Sequence, residues 1–318
     1  MFPSIWIEEA HNRIAPHIQH TPLTHDENLD LFIKWENKQV TGSFKARGAI
    51  NKIFSLQPWE LKRGIVAASA GNHGQGVALA SRITGASSII FASEHAVPSK
   101  IDAMQRLGAE VRLVPGGYAE AEKAGIDFAK SSGAVWVSPY NDGQVIAGQA
   151  TIASEILTDL PGTSDYTWIV PAGGGGLISG IGAVIKTKSV SDISPALMTL
   201  VGVQSVASPF LFHLYHHGTQ EGYEELPSLA DGLSGPVEAN SLTIPLVNRY
   251  VDDFILVSEE EIIEAIRYAW HQYQERIEGA AAVSLAAVLS GKITRRPVVI
   301  IISGGNIQSE IHQKIITV

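Results

Sequence analysis

The chain has 318 residues, 45% hydrophobic and 17% charged, with a formal charge of −9 and no cysteine. That length accommodates about two domains and a sizeable core. The acidic balance, with no run of Lys and Arg, argues against nucleic acid or an acidic membrane surface as the main partner, and the missing thiols exclude disulfides, thiolate nucleophiles, cysteine-held clusters and cysteine-type zinc sites.

The start, MFPSIWIEEAHNRIA, has no basic segment followed by an apolar one, so no secretory signal is read there. No apolar run reaches the roughly 18 residues of a membrane span. A soluble cytoplasmic protein is expected. The first distinctive stretch is VTGSFKARGA, residues 40–49, where glycines and a serine surround Lys45. Taken alone, a lysine is a solvated surface charge.

From residue 64 a regular alternation begins. GIVAAS (64–69) reads as a buried strand, and Asn72 to Thr84 as a helix. SSIIFAS (87–93) is the next strand. PSKIDAMQRLG (98–108) is a helix with Pro98 in its first turn and Gly108 past its end. EVRLVP, YAEAEKAGIDFAKSSG and AVWVSP continue as strand, helix and strand. VIAGQATIASEILTDL (145–160) is a helix, YTWIVPA (166–172) a strand, GLISGIGAVIKTK (176–188) a helix and LMTLVGVQ (197–204) a strand. Residues 212–241 are irregular and are expected to be mostly loop. SEEEIIEAIRYAWHQYQER follows as an amphipathic helix with acids in its first turn, and PVVIIISGGN closes with an apolar strand. Strands alternating with helices of 10–15 residues predict βαβ units and a parallel sheet.

Three small-residue turns fall at the C-terminal ends of predicted parallel strands: SAGNHG, PAGGGG and SGGN. Open α/β sheets place ligands there. Gly173 to Gly176 open a helix, whose free N–H groups and dipole can cradle a phosphate. The bland alternative is a tight turn. No Gly-Lys followed by Ser or Thr occurs, so there is no Walker loop. The dinucleotide pattern also fails, because Ser179 and Leu79 stand where its third glycine belongs. A phosphate cradle together with a distinctive lysine points to pyridoxal phosphate, which needs a Schiff-base lysine, a phosphate site and a group at its pyridine nitrogen. Ser303 is the candidate for that group.

SFKARG (43–48), SAGNHGQGVA (69–78), GGGGL (173–177), EGAAA (278–282) and SGGN (303–306) resemble, in order and spacing, the fold-type II pyridoxal-phosphate enzymes, in the branch of serine/threonine dehydratases and serine racemases. The resemblance runs from about residue 20 to the C-terminus. It implies an α/β fold of two open, mainly parallel twisted sheets flanked by helices. A large cofactor-binding domain would take residues 1–59 and 139–318, and a small domain would be inserted at 60–138. It implies that Lys45 is the Schiff-base lysine and general base and that Phe44 packs beside the cofactor ring. Asn72 would bond the phenolic oxygen. Ser69, Ala70, Asn72 and His73 would bind the substrate carboxylate, largely through backbone N–H groups. Gly173, Gly174, Gly175, Gly176 and Leu177 would form the phosphate cup, and Ser303 would face the pyridine nitrogen. The His73 imidazole is expected to pack within its loop, and Arg47 to brace the lysine loop or a subunit contact. The implied activity is that of a dehydratase (ammonia-lyase): β-elimination of a hydroxy-amino acid of the threonine or serine type to a 2-keto acid and ammonia, in a homodimer.

Two departures from the family pattern bear on function. Racemases of the branch carry a second serine where Ala70 stands, and alanine cannot transfer a proton. Relatives often place a metal-binding carboxylate where Gln204 stands, and a neutral amide is a poor hard-cation ligand. No divalent metal is expected there, and Asp231 reads as a turn residue. The open alternatives are an amino-acid racemase, a dehydratase for 3-hydroxyaspartate or a bulkier substrate, a β-replacement synthase, and a binding protein on an inactive scaffold. The 138–143 loop, with Tyr140 and Asn141, is expected to tune the pocket.

Overall fold

A computed structural model describes residues 2–161, 165–187 and 198–317. Lys188 and Leu197, at the edges of two predicted elements, lie outside the described residues. Strands and helices alternate through most of the chain, and the strands form two sheets. The six-stranded sheet has the order β1-β2-β10-β7-β8-β9 and the four-stranded sheet β5-β4-β3-β6. Here β1 is Leu23–Asp26, β2 Leu31–Trp35, β3 Ile65–Ala68, β4 Ser88–Ser93 and β5 Glu110–Val114. β6 is Val135–Trp136, β7 Thr167–Pro171, β8 Thr199–Ser205, β9 Asp253–Val257 and β10 Val298–Ile302. Only the β1–β2 pair is antiparallel. The fold is therefore α/β with two mainly parallel sheets, as expected.

The thirteen helices are α1 (Ser4–Ile14), α2 (Lys45–Phe54), α3 (Pro58–Leu61), α4 (Asn72–Thr84), α5 (Pro98–Arg106), α6 (Tyr118–Ser132) and α7 (Gly143–Asp159). They continue with α8 (Gly176–Ile185), α9 (Phe210–His217), α10 (Thr243–Tyr250), α11 (Glu259–Tyr273), α12 (Gly279–Leu289) and α13 (Ser309–Ile316) among the described residues. Local chemistry sets their ends. Ser258 and Glu261 close a reciprocal capping box on α11. Asp142 caps α7 by accepting from the N–H groups of Gln144 and Val145. Gly85, Gly133 and Gly218 end α4, α6 and α9 in the left-handed conformation that lacks a Cβ penalty.

The large sheet is covered on both faces, which explains the unbroken apolar run of β10, all of whose residues are buried. One face packs against a cluster including Ile146, Ile178, Ile181 and Tyr250, from α7, α8 and α10. The other packs against Ile262, Ile266, Val283 and Leu285, from α11 and α12. The small sheet packs against α4 through Val77 and Ala80 and against α6 through Ala121 and Ala129. α2 lies against both α4 and α7, so it joins the surroundings of the two sheets.

Residues 218–241 are mostly loop, as expected, and two expectations are refined in detail. The stretch from Phe212 is not loop at its start, because α9 occupies Phe210–His217 and buries Phe210 and Leu211. Its apolar face is too short to show a period. AVWVSP yields only the two-residue strand β6, which pairs with β3 at the edge of the small sheet.

Candidate active site

Lys45 is the first residue of α2, and the loop before it is laced to the turn after β10. Phe44 N–H donates to Ser303 O at 3.0 Å and Gly305 N–H to Gly42 O at 2.9 Å, while Ser43 bridges to Gly304. Gly42 has φ +72, and a Cβ there would lie 2.7 Å from Asn306 Oδ1. Only glycine fits both the conformation and the approach. Lys45 Nζ donates to Pro139 O at 3.1 Å and sits 5.2 Å from the Phe44 ring centre. Desolvation pulls the ammonium down to about 8, and the nearby Glu278 carboxylate limits the fall. The neutral amine is thus accessible near physiological pH.

The SAGNH turn follows β3 and opens α4. Ser69 Oγ accepts from Gly71 N–H at 3.0 Å. The backbone N–H groups of Ala70, Asn72 and His73 meet no protein acceptor among the described residues. A helix start with free donors suits a carboxylate. The His73 imidazole is buried and contacts Val137 O through Nε2 at 2.9 Å. Burial first, and then Lys45, push it down to about 3, so it is neutral. Its geometry is that of a group held within the fold.

The glycine run lies between β7 and α8. Gly175, at the N-cap of α8, has φ +87. The N–H groups of Gly173, Gly174, Gly175, Gly176 and Leu177 donate to no protein acceptor among the described residues. Tyr140 covers the run: a Cβ on Gly174 would fall 2.4 Å from its ring. The Tyr140 hydroxyl accepts from Glu238 N–H at 3.0 Å, and Asn141 Nδ2 donates to the Glu238 carboxylate at 2.7 Å. The 138–143 loop therefore touches both Lys45, through Pro139, and the glycine run, through Tyr140.

Ser303 is buried at the end of β10. Its hydroxyl makes no protein hydrogen bond among the described residues. Asn72 is engaged on both sides: Nδ2 donates to Glu278 Oε1 at 2.6 Å, and Oδ1 accepts from Asn306 Nδ2 at 2.7 Å. Sequence reasoning named EGAAA (278–282) only among the segments that carry the family resemblance and missed this contact. The one available signal was an acid placed directly before the apolar helix α12. Arg47 lies outside the cleft, fully buried, and pairs with Glu36 at 2.8 Å and Glu155 at 2.6 Å. Gln204 is buried, and its Oε1 accepts from Phe212 N–H at 2.7 Å. Asp231 is exposed and pairs with Lys100 at 3.1 Å.

The three turns thus meet around one lysine. Five free N–H groups at a helix start, an amine of lowered basicity and an unengaged serine hydroxyl are the groups that pyridoxal phosphate requires.

Comparison with known proteins agrees. A family model described as pyridoxal-phosphate dependent enzyme matches residues 12–304. An L-threonine ammonia-lyase from Thermotoga maritima is 42% identical over 98% of this chain and 77% of its own length. A catabolic L-threonine dehydratase from Staphylococcus aureus is 39% identical over 95% of this chain and 88% of its own. The structure of maize serine racemase superposes with a TM-score of 0.89 at 29% identity, covering 98% of this chain and 95% of that one. The chain belongs to the pyridoxal-phosphate-dependent enzyme family.

Proposed function

We propose that this protein is an ammonia-lyase that removes water from a β-hydroxy amino acid of the threonine or serine type and releases a 2-keto acid and ammonia. The observation that carries this reading is the Lys45 amine, held in the cleft with lowered basicity, beside a loop whose second residue is Ala70. One proton-transferring side chain serves elimination, whereas racemisation needs a second on the opposite face. The names of the Thermotoga and Staphylococcus relatives support the same reaction.

Bound pyridoxal phosphate supplies the electron sink for breaking the substrate Cα–H bond. Lys45 would hold the cofactor through Nζ, and its free amine would take the substrate Cα proton at the same atom. The free N–H groups of the Ser69–His73 turn hold the substrate carboxylate and orient Cα toward Lys45. The N–H groups of Gly173 to Leu177 hold the cofactor phosphate. The Ser303 hydroxyl would be the partner of the cofactor's ring nitrogen, a neutral group that would favour prompt loss of the β-hydroxyl. Phe44 would pack beside the cofactor ring, and His73 stays neutral and structural. The β-hydroxyl departs as water, and hydrolysis of the remaining unsaturated amine gives the keto acid and ammonia. We take residues 60–138 as the small domain that closes the carboxylate turn onto substrate, and the protein as a cytoplasmic homodimer. No helix among the described residues is long and apolar enough to cross a membrane.

A panel of β-hydroxy amino acids, assayed for both keto-acid release and inversion at Cα, tests the reading. Elimination from threonine or serine should far outrun inversion. Serine inversion at a rate equal to pyruvate release would favour the racemase reading instead.

A further inference from the structure

We propose that Glu278 is a positioning residue for the cofactor end of this site, because its carboxylate fixes the direction in which Asn72 points its second N–H. The inference rests on the pyridoxal-phosphate reading above.

The argument starts from a main-chain carbonyl. Thr41 O can only accept, and it receives Asn306 Nδ2 at 2.9 Å. That settles which end of the Asn306 amide is nitrogen. The same Nδ2 has a second hydrogen, directed at Asn72 at 2.7 Å, so the Asn72 atom facing it is Oδ1. Asn72 Nδ2 then faces Glu278 Oε1 at 2.6 Å, where an ionised carboxylate accepts. Glu278 Oε2 receives Asn306 N–H at 3.2 Å, and Glu278 N–H donates to Gly304 O at 3.1 Å. The carboxylate has room because Gly304 lacks a side chain: a Cβ there would fall 2.4 Å from Oε1.

The contacts of this circuit leave one hydrogen of Asn72 Nδ2 without a protein partner. Asn72 therefore has a donor hydrogen to offer, while its Oδ1 is held toward Asn306. A donor is what an anionic phenolic oxygen needs. Asn306 supplies one fixed point for the amide and Glu278 the other. The circuit also ties the lysine loop, the SAGNH turn and the turn after β10 together, so it sets Asn72 relative to Lys45. The buried carboxylate has a cost, since desolvation raises its pKa to about 7.

The test reads the visible absorption of the purified holoenzyme in Glu278→Ala, Glu278→Gln, Asn72→Ala and the double variant Glu278→Ala/Asn72→Ala. The proposal expects Glu278→Ala to shift the band in the same direction as Asn72→Ala and to hold the cofactor roughly tenfold more weakly. The double variant should shift no further, as for two residues acting through one bond. Glu278→Gln keeps one acceptor oxygen for Asn72 Nδ2 but loses the one that meets Asn306 N–H, so its band should lie nearer wild type than that of Glu278→Ala. An unshifted Glu278→Ala band, additive shifts, or a Glu278→Gln band matching Glu278→Ala overturns the proposal. Should Glu278→Ala not fold, Asn306→Ala removes the other fixed point and should shift the band the same way; an unshifted band there overturns it equally. A wild-type protein with no Lys45-dependent visible band would instead overturn the cofactor reading on which this one stands.

Discussion

A lysine that adds to an aldehyde works as the free amine, and the cleft supplies that form by desolvation. With the ammonium held at about 8, the neutral fraction rises as pH rises through that value. The rate at which apoprotein takes up pyridoxal phosphate should therefore climb about tenfold per pH unit below 8 and level off above it. Stopped-flow absorbance across pH 6–9 reads this directly, and a flat profile would place the amine's transition elsewhere. Lys45→Ala should lower keto-acid release by about 10²–10⁴-fold while the fold survives. At this scale the sequence was readable where the chemistry leaves a spelling. Lys45 stands in a glycine-serine frame, and Ser303 in a glycine-rich turn. Glu278 opens the EGAAA segment, but that spelling does not state its role, which comes from a contact with Asn72 across 206 positions that no local pattern encodes.

The glycine run between β7 and α8 does two things in one segment. Gly175 turns the chain through the left-handed region, and the following N–H groups face outward at the helix start. Gly175→Ala should destabilise the protein by about 1–2 kcal/mol, the strain of an L-residue in that region, and weaken cofactor retention as well. Denaturant titration with and without added cofactor separates the two effects. A substitution that weakened neither would remove the cup from the site. The strand–turn–helix order here was legible because both flanks are long and apolar. α9 was not, because its buried face comprises only Phe210 and Leu211. At the Gln204 end of β8, the amide oxygen already bonds Phe212 N–H, and a neutral amide is a poor hard-cation ligand. Keto-acid release should therefore be unchanged by a chelator; a loss restored by Mg²⁺ would contradict this.

Across the whole molecule, the cleft depends on α2 being held against the large sheet. Arg47 does this from inside α2, paired with Glu36 and Glu155, while Lys34 from β2 meets Glu155 at 2.8 Å. All four are buried. Removing one member of such a network leaves uncompensated charge, so Arg47→Ala should cost about 3–5 kcal/mol in chemical denaturation. A cost under about 1 kcal/mol would mean that the network is solvated and that α2 is held by packing alone. The sequence marked Arg47 as a brace without naming its partners, since Glu36 and Glu155 come from different elements that only the fold brings together. The claim on which everything else rests is that Lys45 carries the cofactor covalently. Borohydride reduction of the holoenzyme, followed by proteolysis and peptide mass mapping, tests it most directly. The pyridoxyl mass should appear on Lys45 and disappear in Lys45→Ala. Its appearance on another lysine, or on none, would contradict the claim.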